Sequence, residues 1–372
     1  MMLAFFKHKK FWLPIVYLLL FFSITEILLR LGLYDKWIKP NSFLGNGIYR
    51  ERAIKKSGLD QIQWISIGNS RFDWGVNQQK LTKELNKIGI NYKKMSFESS
   101  NFISIQATIG WSIENMKNLE GIILGVSDNE LSKLQSFSNQ YKIAWPFREH
   151  ITVKNYQSIS ESFLLFKYYY SLAWVNYFPD IKSILRNPIK RMDLINQAKN
   201  KNVLTESHHN QKDLCEHDVS TLDQCVTFAQ NKRLKTTNSN GYNLLKSLCS
   251  KPLAVTRNQN GNPMPATPHK DELIENWTEL FNLITNQNLQ LILVLMPEHE
   301  ANEYILNPSN SSEIRQAIIN NFNNNSHFKV LDLRNVFTND ASCKYFSDPL
   351  HFNNKGVNLF TKQLINDLVK SI

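Results

Sequence analysis

The chain has 372 residues, of which 42% are hydrophobic and 12% aromatic, enough apolar side chain for one substantial core with additional material and too much for an intrinsically disordered chain. Its net charge of +11 favours anionic surroundings such as lipid headgroups or acidic glycans. No basic run interleaved with aromatics and no helix-turn-helix or zinc-finger spacing is present, which argues against nucleic acid as a partner.

Residues 1–10 are short and basic, with Lys7, Lys9 and Lys10. Residues 11–33, FWLPIVYLLLFFSITEILLRLGL, follow as a long apolar segment. At 1.5 Å per residue such a helix is about 34 Å long, enough to cross a hydrocarbon core. Glu26 and Arg30 stand four apart on one face, where they pair or reach the interface. A cleaved signal peptide is the rival, but no small-x-small site follows, which favours an uncleaved anchor. The lysines argue for residues 1–10 in the cytoplasm and the domain outside it, at a cell membrane crossed once, with Arg30, Lys36 and Lys39 on the other flank working against that bias.

Residues 34–60 read as a connector, with turn signals at Gly45-Asn46-Gly47. From 61 onward the pattern becomes strand and helix in alternation. Ile62 to Ile67 predicts a buried strand, Asn77 to Ile88 a helix capped by Asn77, Tyr92 to Phe97 a strand, Ile103 to Met116 a helix, and Gly121 to Val126 a strand buried on both faces. Asp271 to Thr285 continues as helix, Leu289 to Leu295 and Lys329 to Leu333 as strands, and Asn353 to Val369 as the last helix. Such alternation predicts an α/β domain over 61–372 with a parallel sheet.

An insertion, 136–270, interrupts it. It opens with Phe163 to Phe178, FLLFKYYYSLAWVNYF, which is too short to span a membrane and predicts a buried helix; docking on a membrane is the alternative, helped by Lys182, Arg186, Lys190 and Arg191 just beyond. Cys215, Cys225, Cys249 and Cys343 include no Cys-x-x-Cys pair, which argues against zinc. Two disulfides, with Cys215–Cys225 closing the shortest loop, and four thiols both remain open. His208, His209 and His217 lie among acidic residues without metal-ligand spacing, and predict a solvated loop.

Two stretches carry the chemistry. Ser70 follows the first strand in Gly68-Asn69-Ser70-Arg71, at the carboxyl end where parallel sheets gather their sites. Near the other terminus, Asp348 stands three residues before His351 and directly ahead of the last helix. A serine hydroxyl needs an imidazole to take its proton, and a carboxylate to orient that imidazole. Ser70, His351 and Asp348 are therefore the candidate catalytic triad.

In these motifs the chain resembles the SGNH, or GDSL-like, hydrolase superfamily, which has its nucleophile after the first strand and an Asp-x-x-His near the C-terminus. The resemblance covers about 61–128 and 271–372. It implies a three-layer, flavodoxin-like α/β fold, a serine acyl-transfer or esterase activity, and no metal or diffusible cofactor. A single N-terminal anchor is similar to the envelope branch, the alginate-type O-acetyltransferases and the D-alanyl transfer protein of teichoic acid. That similarity implies an acetyl group, a cell-envelope polysaccharide as acceptor and a polytopic membrane protein as acyl donor.

Three positions depart from the family pattern. Asn69 replaces the acidic residue before the serine; Phe97-Glu98-Ser99-Ser100-Asn101 stands where an oxyanion-hole glycine is expected; and Gly125-Val126-Ser127 has serine in place of asparagine, with Asn129 two residues on. Candidate oxyanion donors are accordingly Ser70, Ser99, Ser100, Ser127 and Asn129. Arg71, Asp73 and His299 are candidate substrate contacts. The altered oxyanion region also keeps open a catalytically silent envelope scaffold or glycan-binding protein.

Overall fold

A computed structural model describes residues 9–98, 100–131, 139–151, 172–199, 227, 270–299, 308–337, 342–348 and 350–372. The first element is a long helix, α1 (Lys9–Arg30), and its stretch Trp12–Arg30 is apolar enough to cross a membrane. A second helix, α2 (Phe43–Lys56), occupies the expected connector. Ser42 caps it by accepting from Gly45 N–H at 3.0 Å, and Leu44, Ile48 and Ile54 are buried beneath it. The glycines read as turn signals serve close approach instead: a Cβ on Gly47 would lie 2.2 Å from the carbonyl oxygen of Ile143.

Five parallel strands form the sheet: β1 (Trp64–Gly68), β2 (Tyr92–Lys94), β3 (Gly121–Val126), β4 (Gln290–Leu295) and β5 (Phe328–Asp332), in the order β2-β1-β3-β4-β5. Trp64 pairs with both Tyr92 and Gly121, and Gly121 in turn with Gln290. The strand sequence therefore reverses between β1 and β3, and it is at such a switch point that an open parallel sheet leaves a crevice beyond its carboxyl ends. Helices cover both faces. Helices α3 (Ser70–Gly75), α4 (Gln78–Lys87) and α11 (Asn354–Ser371) contribute Phe72, Leu81, Leu85, Val357 and Phe360 to one core. On the opposite face α5 (Phe102–Asn115), α9 (Lys270–Thr285) and α10 (Pro308–Asn320) supply Phe102, Trp111, Trp277, Phe281 and Ile314.

The short α6 (Asp128–Leu131) follows β3. The insertion begins not as an appendage but as core: within the 3₁₀ segment Asn139–His150, Ile143, Ala144 and Phe147 are buried in the same cluster as the β3 side chains. Helices α7 (Ala173–Arg186) and α8 (Pro188–Lys199) come next. Residues 163–171 of the expected buried helix, with His208, His209, His217, Cys215, Cys225 and Cys249, lie outside the described residues. Tyr177 and Ala173 of α7 join Leu29, Ile38, Leu44 and Trp145 in a third cluster, which ties the end of α1 to the domain.

One glycine matters for the site. A Cβ at Gly125 would lie 1.9 Å from Cδ2 of Phe72, so only glycine admits that ring against β3. Phe72 is two residues beyond Ser70, and its seating fixes the turn that carries the hydroxyl.

Candidate active site

Ser70 opens α3 immediately beyond β1, and Asn69 caps that helix by accepting from Arg71 N–H at 2.8 Å. The chain can turn this sharply because the Asn69 side chain takes over an N–H that has no partner in the first helical turn. Asp348 and His351 stand in a turn held between Phe346 and Phe352, which bridge each other and are buried among Phe337 and Phe360. Asp348 Oδ1 accepts from the N–H groups of Leu350 and His351 at 2.8 and 2.9 Å, so the spacing of three residues is set by the turn itself.

These two stretches, 281 positions apart, meet. His351 Nε2 lies 3.0 Å from Ser70 Oγ, and His351 Nδ1 lies 2.9 Å from Asp348 Oδ2. Burial opposes the charge on Asp348, but the imidazole's hydrogen bond and charge, with the two backbone N–H donors, outweigh it and hold the carboxyl below its usual range. Asp348 is thus a carboxylate near neutral pH, able to hold the Nδ1 proton and leave Nε2 facing the serine. The Trp74 ring lies against the imidazole, with centroids 4.3 Å apart and planes tilted by 33°. Sequence reading missed Trp74; its position one helical turn after Ser70 was the available signal.

No protein-family model matches the chain, and no curated protein matches it. The chemistry of the site therefore rests on its own residues.

The candidate oxyanion donors divide. Ser100 is buried, its N–H donates to Phe97 O at 3.3 Å and its hydroxyl to Gly68 O at 2.8 Å. Ser127 is also buried; its N–H donates to Glu130 Oε2 at 2.8 Å and its hydroxyl accepts from Arg71. Both therefore spend their N–H groups on holding loops rather than on a ligand. Ser99 and the side chain of Asn129 lie outside the described residues. Among the described residues, the N–H of Ser70 forms no backbone hydrogen bond to a turn or loop, which leaves it as a candidate donor.

The expected substrate contacts are all interior. Arg71 is buried; its Nη1 donates to Ser127 Oγ at 2.7 Å and pairs with Glu298. Burial works against its charge, but Glu298 and Glu130 outweigh that and keep the guanidinium firmly protonated. Asp73 pairs in the interior, 2.7 Å from Lys94 Nζ and 3.6 Å from Arg50, with all three side chains buried. His299 is wholly buried, edge-on to Phe346 at 5.3 Å; burial pushes its imidazole down to about 4, with the charge of Asp348 pulling the other way, so it is neutral near pH 7. All three candidate substrate contacts are thus buried and engaged with neighbouring side chains: a turn at a strand end turns some side chains outward and others inward, and residue type does not say which.

Glu130 gives this buried group a pH signature. Burial raises its carboxyl from 4.5 to about 7 against the pull of Arg71 and of the Ser127 N–H. The folded chain therefore holds this proton more readily than the unfolded one. Its stabilising effect is complete below about pH 4.5 and is lost as pH rises through about 7. Glu130→Gln should flatten that slope. In thermal unfolding, the variant is expected to gain on wild type at about pH 8 and not at about pH 5; an equal difference at both would refute the assignment.

Proposed function

We propose that the chain is a membrane-anchored serine acyl-transfer enzyme of the SGNH type, an O-acetyltransferase or esterase acting on a cell-envelope polysaccharide. The observation that carries this reading is the continuous relay from Ser70 Oγ through His351 to Asp348 at the carboxyl end of β1. The doubly wound strand order and the place of the serine at its switch point agree with an SGNH-like fold. The apolar helix Trp12–Arg30 supports a single-pass anchor, and the basic residues 7–10 support a domain outside the cytoplasm.

In the proposed reaction Ser70 Oγ attacks the acyl carbon of a donor ester while His351 Nε2 takes the hydroxyl proton. The oxyanion that forms is met by the Ser70 N–H. Collapse breaks the bond to the donor alcohol, which leaves with the proton from His351. A sugar hydroxyl or water then gives its proton to His351, attacks the acyl-serine and regenerates Ser70. No step calls for a metal or diffusible cofactor. A polytopic membrane protein fits as the donor, because an anchored domain works at the bilayer surface.

Transfer and hydrolysis use the same residues, and cells carrying Ser70→Ala separate them. Loss of acetyl groups from envelope polysaccharide is the expected result for a transferase, and their increase the result for an esterase. Unchanged acetylation would support the second reading, a silent SGNH-fold scaffold or glycan-binding protein. That reading is favoured by one feature, the engagement of the Ser100 and Ser127 N–H groups elsewhere.

A further inference from the structure

Helix α7 is fixed to the anchor by its first turn. The Glu26 carboxylate accepts from the N–H groups of Ala173 and Trp174 at 2.7 and 3.0 Å, and pairs with Arg30 at 2.7 Å. Trp174 packs against Phe22, with centroids 5.5 Å apart, and donates from its indole to Thr25 Oγ1 at 2.7 Å. A carboxylate within a membrane-spanning stretch is costly unless its charge is met; here a helix N-terminus and a guanidinium meet it. The start of α7 is thereby held beside the last two turns of the apolar stretch Trp12–Arg30.

From there α7 presents two faces. Ala173, Asn176, Tyr177 and Asp180 are buried against the domain, with Asp180 holding the Tyr34 hydroxyl at 3.0 Å and Arg191 at 2.6 Å. Trp174, Phe178, Ile181 and Leu185, at i, i+4, i+7 and i+11, form a second stripe within a narrow arc. Phe178 is 53% exposed and Leu185 78%, and Ile189 of α8, at 79%, extends the line. Lys182, Arg186 and Lys190 are exposed alongside. Between the stripe and the anchor lies an apolar cleft of about 230 Å³, lined by Leu28, Leu33, Trp37, Trp174 and Ile181 among others.

We propose that α7 and the start of α8 lie in the interface of an anionic bilayer. The stripe enters the edge of the acyl region, and Lys182, Arg186 and Lys190 meet lipid phosphates. An apolar stripe flanked by basic residues is the pattern of helices that rest in this plane. The stripe is continuous with the apolar surface of the anchor through Trp174, and a second copy of a chain of net charge +11 would bring like charges to the same basic flank. The proposal rests on the reading of α1 as membrane-spanning.

Nitroxide labels test it, placed singly by Leu185→Cys, Ile189→Cys, Leu20→Cys and Lys83→Cys in the full chain whose four native cysteines are replaced by serine, in nanodiscs containing phosphatidylglycerol. Labels at 185 and 189 are expected to be more accessible to oxygen than to an aqueous nickel chelate, as at 20, and the reverse is expected at 83. Combining Lys182→Glu, Arg186→Glu and Lys190→Glu should abolish the oxygen preference at 185 and 189 while leaving 20 unchanged. Preference for the chelate at both 185 and 189, with oxygen still preferred at 20, overturns the proposal. Preference for the chelate at 20 as well overturns the anchor reading and the proposal with it. Low accessibility to both reagents with dipolar broadening would mean that a second copy covers the stripe, and also overturns it.

Discussion

His351→Ala is expected to lower turnover of an activated acetyl ester by at least about 10⁴-fold, the loss that follows when the carboxylate of a triad alone is neutralised. At 1.36 kcal/mol per tenfold, this is about 5.5 kcal/mol or more of transition-state stabilisation. The physical reason is the 3.0 Å contact between His351 Nε2 and Ser70 Oγ: without it the hydroxyl proton has no acceptor as the new bond forms. Asp348→Asn should cost a similar order, because the amide cannot stabilise the charged imidazole or fix its tautomer. Residues that act as one unit are not additive. The double variant Ser70→Ala with His351→Ala is therefore expected to be no slower than either single variant in steady-state assays of the full chain. Losses that multiply would mean that the two side chains act separately.

Asp73→Ala is expected to destabilise the fold by about 3–5 kcal/mol, the usual cost of removing one partner of a buried ion pair. Lys94 Nζ lies 2.7 Å from the Asp73 carboxylate in a setting where both side chains are almost wholly buried, and Arg50 adds a second positive charge at 3.6 Å. Removing the carboxylate takes away the counter-charge that Lys94 and Arg50 share in the interior. The same substitution should leave the KM of the remaining folded protein for an activated acetyl ester unchanged, because the Asp73 carboxylate is buried and taken up by Lys94 and Arg50. Denaturant unfolding together with ester kinetics reads both quantities. A raised KM with unaltered stability would return Asp73 to the substrate contacts expected from sequence.

The parts legible in the sequence were those whose geometry is local. GIILGV at Gly121–Val126 could only be a strand buried on both faces, and it is one. The Asp348–His351 pair was readable because its spacing is enforced by the turn that Asp348 itself hydrogen-bonds. What escaped depends on distant partners. Helix α2 was masked by glycines that serve close packing, and α10 by a polar start, Pro308-Ser309-Asn310, that resembles a loop. The expected strand Tyr92 to Phe97 pairs regularly only through Lys94, although the N–H groups of Met95 and Phe97 still reach β1. Arg50, Asp73 and Lys94 come from three separate elements, so nothing in the spacing announces their union. The oxyanion donors were the least legible, since whether a backbone N–H is available depends on what the folded loop beside it accepts.

Acid-quenched mass spectrometry of the full chain after brief exposure to an activated acetyl ester tests the central claim most directly. The account predicts an acetyl group on the peptide carrying Ser70, lost in Ser70→Ala and suppressed in His351→Ala. An acetyl group absent from that peptide, or present to the same extent without His351, would contradict it.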